Sequence, residues 1–307
     1  MSDMMAQTTQ DRKRARIASA TLDALDNDTL IRCASFLDVD GLVQLGRTSA
    51  SFGIPQAGQR RSLVNEAAHQ RFLHGATDEE KGCLLKYDDE SDVGLYRALE
   101  LSRQPLCFDE LAGNDFSTQE HPAVITCKGR GNPFISTAMS RQIMRGGRHF
   151  VEFTIDSDVQ TTHNVHLGVI RPVSLTKDID VVADWKRSVN PMLISSSYRS
   201  AISEKLRSQR NARWGDSNIH CCAYYCGTGY RSWTDWNSPS YDWRGTEGLG
   251  DRGAIGLLLD LGDGILSVFK NGRRLGVVKD GLEGEYCWFV VVYSACTISI
   301  SKAQAPH

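Results

Sequence analysis

The sequence predicts an α+β multidomain protein: a small amino-terminal helical region, then an antiparallel β-sandwich. Three observations point there. Between Leu22 and about Arg103 the apolar residues recur with helical spacing; Leu30, Cys33, Ala34 and Leu37 fall at i, i+3, i+4 and i+7. After Pro105 the pattern changes to short β-rich segments separated by Gly-rich turns. From Arg252 to Ile300 such segments follow one another closely, and Asn271-Gly272 between two of them is a two-residue hairpin signal, because both residues tolerate positive φ.

Composition bounds the reading. The chain has 307 residues, enough for about two domains, with 41% hydrophobic and 23% charged residues, a globular balance. The formal net charge is -2, so no global field favours nucleic acid or an anionic membrane. No apolar run approaches the roughly 20 residues of a spanning helix, and the first residues lack the apolar core of a signal peptide. Nine cysteines without framework spacing suggest reduced thiols in the cytoplasm, the nucleus or both.

Residues 1–20 read as a disordered basic tail carrying Arg12, Lys13, Arg14 and Arg16, either simply solvated or a nuclear localisation patch. Residues 21–104 form the helical region. Asp28 is placed to cap a helix over Thr29–Phe36, and Asp38 and Asp40 open a second with Leu42, Val43 and Leu45. A third, Ser62–Leu73, stripes Val64, Ala67, Ala68 and Phe72 along one side; a fourth, Ser91–Ser102, carries Leu95, Tyr96 and Leu99. Pro105 ends the helical register because it has no amide donor.

Residues 105–303 form the sandwich. Strands are expected at Val124–Cys127, Arg148–Asp156, Val165–Ile170, Ile219–Cys226, Ile255–Leu261, Ile265–Lys270 and Leu275–Val278. A long Ser-rich, basic insertion at about 172–218 breaks the rhythm. Between Trp185 and Arg213 it holds seven basic residues against one acid, Glu204. A loop of that length is expected to be a mobile insertion, a contact surface for an acidic partner, or a regulatory segment around Ser195, Ser196 and Ser197.

Three separated segments carry a family resemblance in a consistent order. "RGGRHFVEFTI" (Arg145–Ile155), "HLGVIRP" (His166–Pro172) and "LDLGDGILSVFKNGRRLG" (Leu259–Gly276) resemble the SPRY signature. The resemblance implies a concanavalin-like jelly roll that binds proteins or peptides through its loops. In peptide-binding members the end of the strand equivalent to Val291–Cys296 lines the ligand pocket, which implies Val292 and Tyr293 as target-binding residues here. "LDNDTLIRCASFLDVDGLVQLGRTSASF" (Leu25–Phe52) resembles an F-box, with Asp26 where that motif has proline. The resemblance implies that Leu25, Leu30, Phe36, Leu37, Leu42 and Leu45 face a Skp-type adaptor and, through it, a cullin scaffold. Together the two resemble a substrate receptor of an SCF-type cullin-RING ubiquitin ligase. Two alternatives stand beside it: a binding scaffold whose F-box-like helices only buttress the sandwich, and a sandwich-fold carbohydrate binder or enzyme.

Other candidates weigh less. Trp233, Trp236, Tyr241 and Trp243 lie among Ser, Asp, Asn, Pro and Gly, so they read as an aromatic loop; Trp233 and Trp236 join the target-binding set. Tyr224 and Tyr225 read as ordinary core. His220, Cys221, Cys222 and Cys226 suggest zinc, but adjacent strand residues point to opposite faces, so no metal and no cofactor is expected. His149 and Glu152, three apart on a strand, do not form a dyad, and no nucleophile elbow or phosphate loop is present. The chain is expected not to be an enzyme, and to bind neither nucleic acid nor membrane.

Overall fold

The computed structural model describes residues 25–117, 119–128, 135–156, 165–194, 200–242, 247–249 and 253–306. The basic tail, Ser195, Ser196, Ser197 and Trp243 lie outside the described residues, as does the side chain of Tyr241. The chain divides into two compact units, Met1–His74 with Ser91–Val93, and Gly75–Glu90 with Gly94–His307. This division differs from a boundary near residue 104, because the chain from 75 to 90 and from 94 onward groups with the sandwich.

The first unit opens with α1 (Asn27–Ala34) and α2 (Val39–Thr48). Asp26, not Asp28, caps α1: its carboxylate accepts from the Thr29 amide at 2.7 Å. Asp38 caps α2 in the same way, accepting from Gly41 N at 2.8 Å. The buried face of α1 is Leu30, Ile31 and Ala34, whereas Cys33 and Leu37 are exposed. Moving the cap two residues upstream does not rotate the face; burial itself chose Ile31 over Cys33. The short α3 (Ala50–Gly53) lies against α2 so closely that a Cβ on Gly53 would sit 2.0 Å from the Gly46 carbonyl oxygen. α4 (Leu63–Gly75) buries Val64, Ala67, Ala68 and Phe72, the expected stripe. Asp92 is buried and accepts from Arg61 Nε at 3.0 Å, with His69 Nδ1 at 3.2 Å.

The second unit begins with α5 (Asp78–Cys83), which has a reciprocal capping box between Thr77 and Glu80. α6 (Asp92–Arg103) follows, grouped with this unit from Gly94 onward, and buries Leu95, Tyr96 and Leu99. Among the described residues thirteen strands come next: β1 (Glu110–Ala112), β2 (Val124–Cys127), β3 (Ser136–Met139), β4 (Arg148–Asp156), β5 (Val165–Ile170), β6 (Cys221–Tyr225), β7 (Arg231–Thr234), β8 (Pro239–Asp242), β9 (Gly253–Asp260), β10 (Ile265–Lys270), β11 (Arg273–Lys279), β12 (Cys287–Val292) and β13 (Cys296–Lys302). They build a seven-stranded sheet, β1-β3-β12-β5-β6-β7-β8, and a six-stranded sheet, β11-β10-β9-β4-β13-β2. Every described pairing between named strands is antiparallel. The result is an antiparallel two-sheet sandwich behind a helical amino-terminal part, the expected fold class.

Period-two alternation sets what each strand buries. Val165, Leu167 and Val169 of β5, Cys222 and Tyr224 of β6, and Trp288, Val290 and Val292 of β12 face the inter-sheet core with Val151, Phe153 and Leu257 of the other sheet. Each such side chain contributes about 1.5–3 kcal/mol of burial free energy. Asn271 and Gly272 take φ of 49° and 80°, and the β10–β11 hairpin turns there as expected. Gly168 sits where a Cβ would lie 1.9 Å from the Cys222 carbonyl oxygen, so the glycine of the Leu-Gly-Val segment permits the β5–β6 approach.

The basic insertion differs from a mobile loop. Its described residues pack on the outer face of the seven-stranded sheet and form a second core. Trp185, Val189, Met192, Ile202, Leu206 and Trp214 are buried there with Ile170, Cys221, Ala223 and Phe289. α7 (Ser200–Arg207) supplies Ile202 and Leu206. Buried Glu110 pins its start, accepting from Ser174 Oγ at 2.9 Å, Leu175 N at 2.7 Å and Thr176 Oγ1 at 3.1 Å. Arg171, fully buried, donates to the carbonyl oxygens of Glu283 (2.6 Å), Glu285 (3.1 Å) and Ser217 (3.0 Å). Part of the basic charge is paired, Lys205 with Asp184 at 2.7 Å and Arg213 with Asp89 at 3.3 Å.

Candidate functional site

One end of the seven-stranded sheet carries a row of rings on its outer face. In the β5–β6 register His166 lies opposite Tyr225, and in the β5–β12 register it lies opposite Val291. Tyr293, two residues beyond Val291, shares that face. The His166 ring centroid is 3.6 Å from that of Tyr225 and 4.9 Å from that of Tyr293. His166 is buried between the two tyrosines, which stay half-exposed. Burial pushes its pKa down to about 3, so the imidazole is neutral at physiological pH. Its Nδ1 has no hydrogen-bond partner among the described residues.

The row is held from behind. Asn190, itself buried, donates from Nδ2 to the Tyr293 hydroxyl at 2.6 Å, while its Oδ1 accepts from Met192 N at 2.9 Å. Val189 ties the same segment to the sheet, its amide donating to Ile135 O at 2.7 Å and its carbonyl accepting from Thr137 Oγ1 at 2.7 Å. Ser232 Oγ donates to the Tyr225 hydroxyl at 3.1 Å. The row therefore offers two half-exposed rings with fixed hydroxyls around a neutral imidazole. That chemistry suits stacking and hydrogen bonding to a peptide.

Of the expected target-binding residues, the structure brings only Tyr293 to this row. Val292 is fully buried and faces the inter-sheet core. Trp233 lies on β7, not in a loop; it opposes Cys222, packs on the inter-sheet core, and has Lys279 Nζ 4.9 Å from its ring centroid. It therefore occupies the sheet face opposite Tyr293. Trp236 is fully buried and is not a surface anchor. It sits in the β7–β8 turn at φ 64°, with its ring 6.0 Å from Trp214 and 4.9 Å from His220, and Ser203 Oγ donates to its carbonyl at 2.6 Å. The polar residues around it suggested a loop in solvent; the folded-back insertion covers that loop instead. The sequence reading missed His166, Asn190 and Tyr225 as site residues. The signal was present, since His166 alternates with inward-facing Leu167 and must face outward.

His220, Cys221, Cys222 and Cys226 divide between the two faces: Cys222 and Cys226 in the inter-sheet core, Cys221 in the outer core. All four are buried, and burial pushes the Cys222 thiol up to about 12. Among the described residues no group of three or more His, Cys, Asp or Glu side chains is placed to hold a metal ion.

In the first unit the expected adaptor residues split by burial. Leu42 and Leu30 are buried and Leu45 is half-buried. Leu25 is 42% exposed, Leu37 37% and Phe36 88%.

The chain matches no protein-family model. It also matches no curated protein sequence. Similar solved structures include the SPRY domain of human HERC1, at 12% identity over 65% of this chain and 98% of that one, with a TM-score of 0.42. The TRIM65 PSpry domain is similar at 15% identity over 66% of this chain and 95% of that one, with a TM-score of 0.39. A human SPRY domain is similar at 12% identity over 63% and 97%, with a TM-score of 0.37.

Proposed function

We propose that this chain is a protein-recognition subunit whose sandwich is a SPRY module, holding a target peptide or protein on the Tyr225–His166–Tyr293 row. The observation that carries this reading is the row itself: two half-exposed tyrosines fixed by hydrogen bonds at the sheet end. Rigid rings at an interface bury much area at low entropy cost, so they serve as anchors. Val292 supports the row from within, not by contact with a target. The reading assigns no catalytic role to the chain.

We further propose that the first unit is an F-box-like platform for a Skp-type adaptor, which makes the protein a substrate receptor of an SCF-type ubiquitin ligase in the cytoplasm or nucleus. Phe36 at 88% exposure supports this, with Leu37 and Leu25 also exposed. An exposed phenylalanine at the end of a capped helix gains about 1.5–3 kcal/mol when a partner covers it. Adaptor contact rests on Leu25, Phe36 and Leu37, while Leu30 and Leu42 hold the unit together. Among the described residues no helix is long and apolar enough to cross a membrane.

The test is co-purification of the full chain with a Skp-type adaptor, alongside capture of cellular targets. Phe36→Asp is expected to abolish adaptor retention and leave target capture intact; Tyr293→Ala is expected to do the reverse. Wild-type protein that never retains adaptor at micromolar concentration would leave the scaffold reading, which the burial of Leu30 and Leu42 favours.

A further inference from the structure

At the other end of the same sheet, before β12 begins, the second unit holds a cavity of about 310 Å³. Its lining mixes apolar residues, Ala98, Leu101, Pro105 and Ile143, with ionic ones, Glu90, Asp109, Arg141, Arg145, Arg213 and Glu285. Leu101 is 51% exposed and Ile143 44%, so part of the apolar lining is open to solvent.

The ionic residues have unused donor capacity. The Arg145 side chain is 5% exposed, and its Nη1 donates to both carboxylate oxygens of Glu90, at 2.9 and 2.8 Å. Its Nη2 has no partner among the described residues. A buried guanidinium nitrogen without an acceptor is costly unless something completes it. Arg213 shares the Tyr87 ring with it: the two guanidinium carbons lie 5.4 and 4.6 Å from the ring centroid. Arg213 reaches Asp89 only at 3.3 and 3.4 Å.

The acids facing the cavity are already engaged. Glu90 is held by Arg145. Asp109 accepts from Arg141 N at 2.8 Å and from Cys107 Sγ at 2.9 Å. Burial pushes the Glu285 carboxyl up, and the Tyr87 hydroxyl is hydrogen-bonded to it. What is left for a ligand is guanidinium donor capacity at Arg145 and Arg213 together with the apolar surface of Leu101 and Ile143.

We infer that this cavity binds a carboxylate carried on an apolar stem, namely the C-terminal residue of a partner peptide ending in leucine, isoleucine or phenylalanine. The planar fork of arginine matches a carboxylate, and the terminal side chain rests on Leu101 and Ile143. The volume is at the low end of ligand pockets, about 300–1,000 Å³, and suits one terminal residue with part of its neighbour. A phosphate would use the arginines and leave the apolar wall uncovered. The site is independent of the Tyr225–His166–Tyr293 row, so either assignment can fail alone.

The experiment is a titration of the full chain with acetyl-Gly-Ser-Gly-Ser-Leu, its C-terminal amide and hexanoate, followed by the methyl resonances of Leu101 and Ile143. The free acid is expected to shift both methyls and to bind at least about tenfold tighter than the amide. Arg213→Gln is expected to bring acid and amide to equal, weak affinity, with Tm checked for folding. Leu101→Gln, on the solvent side, is expected to weaken acid binding without unfolding the chain. Equal binding of acid and amide, or no shift of either methyl with acid at about 1 mM, would overturn the inference. Hexanoate binding as tightly as the peptide would overturn the peptide assignment in favour of a small free acid.

Discussion

Asn190 donates its side-chain amide to the Tyr293 hydroxyl at 2.6 Å, which joins the covering insertion to the end of β12. A residue of the outer core thus fixes one of the two half-exposed rings of the proposed target site. Tyr293→Phe leaves the buried Asn190 amide without that acceptor. The expected cost is about 1 kcal/mol by urea denaturation, and a double-mutant cycle with Asn190→Ala should show coupling of similar size. Additive single effects would separate the two residues.

Trp236 is expected to be structural. It is fully buried against Trp214 and His220, so Trp236→Ala should lose about 3–5 kcal/mol. A variant that keeps wild-type Tm would contradict the burial.

Leu42 and Phe36 sit six residues apart and should respond in opposite ways. Leu42 is 0% exposed, and Leu42→Ala is expected to cost about 2–5 kcal/mol in the first unit. Phe36→Ala, at 88% exposure, is expected to stay within about 0.5 kcal/mol of wild type. Thermal denaturation of the two variants compares them directly.

Acid sensitivity should come from buried histidines. Burial, and then the nearby Arg171 charge, push His220 down to about 4; burial alone pushes His166 to about 3. Both are lowered from 6.5, so below pH 6.5 the unfolded chain binds more protons than the folded one. Their contribution is complete above about pH 6.5 and is lost as pH falls toward 4 and 3. His220→Phe, measured by urea denaturation at several pH values, is expected to flatten stability between pH 6 and pH 4. An unchanged slope would show that His220 is already protonated when folded.

Glu110 accepts from Ser174, Leu175 and Thr176 while buried, so Glu110→Ala strands several donors at once. The expected cost is about 3–5 kcal/mol. Hydrogen exchange at Leu175 and Thr176 should quicken before exchange in β5 does.

The local rules were readable along the chain. The strands Val124–Cys127, Arg148–Asp156, Val165–Ile170 and Ile265–Lys270 follow from period-two alternation, and the Asn271-Gly272 turn from its tolerance of positive φ. The α4 stripe follows from helical spacing. Short strands with little apolar content, such as β1 and β8, gave no such signal. Alternation shows which residues share a face, but not what covers that face. Whether the basic insertion floats or folds back depends on apolar residues spread from Val173 to Trp214 meeting Ile170 and Cys221, which flank the insertion, and Phe289, far away in sequence. That meeting buries Trp236, leaves Tyr225 and Tyr293 half-exposed at the sheet end, and seats Asn190 behind them. In the same way, α1 and α2 were legible as amphipathic helices, yet only packing decided that Leu42 is core while Phe36 faces solvent. Many of the elements were legible because strand alternation and helical spacing are set by neighbours two to four residues apart. The tertiary structure decided which faces are covered, because burial is a non-local quantity.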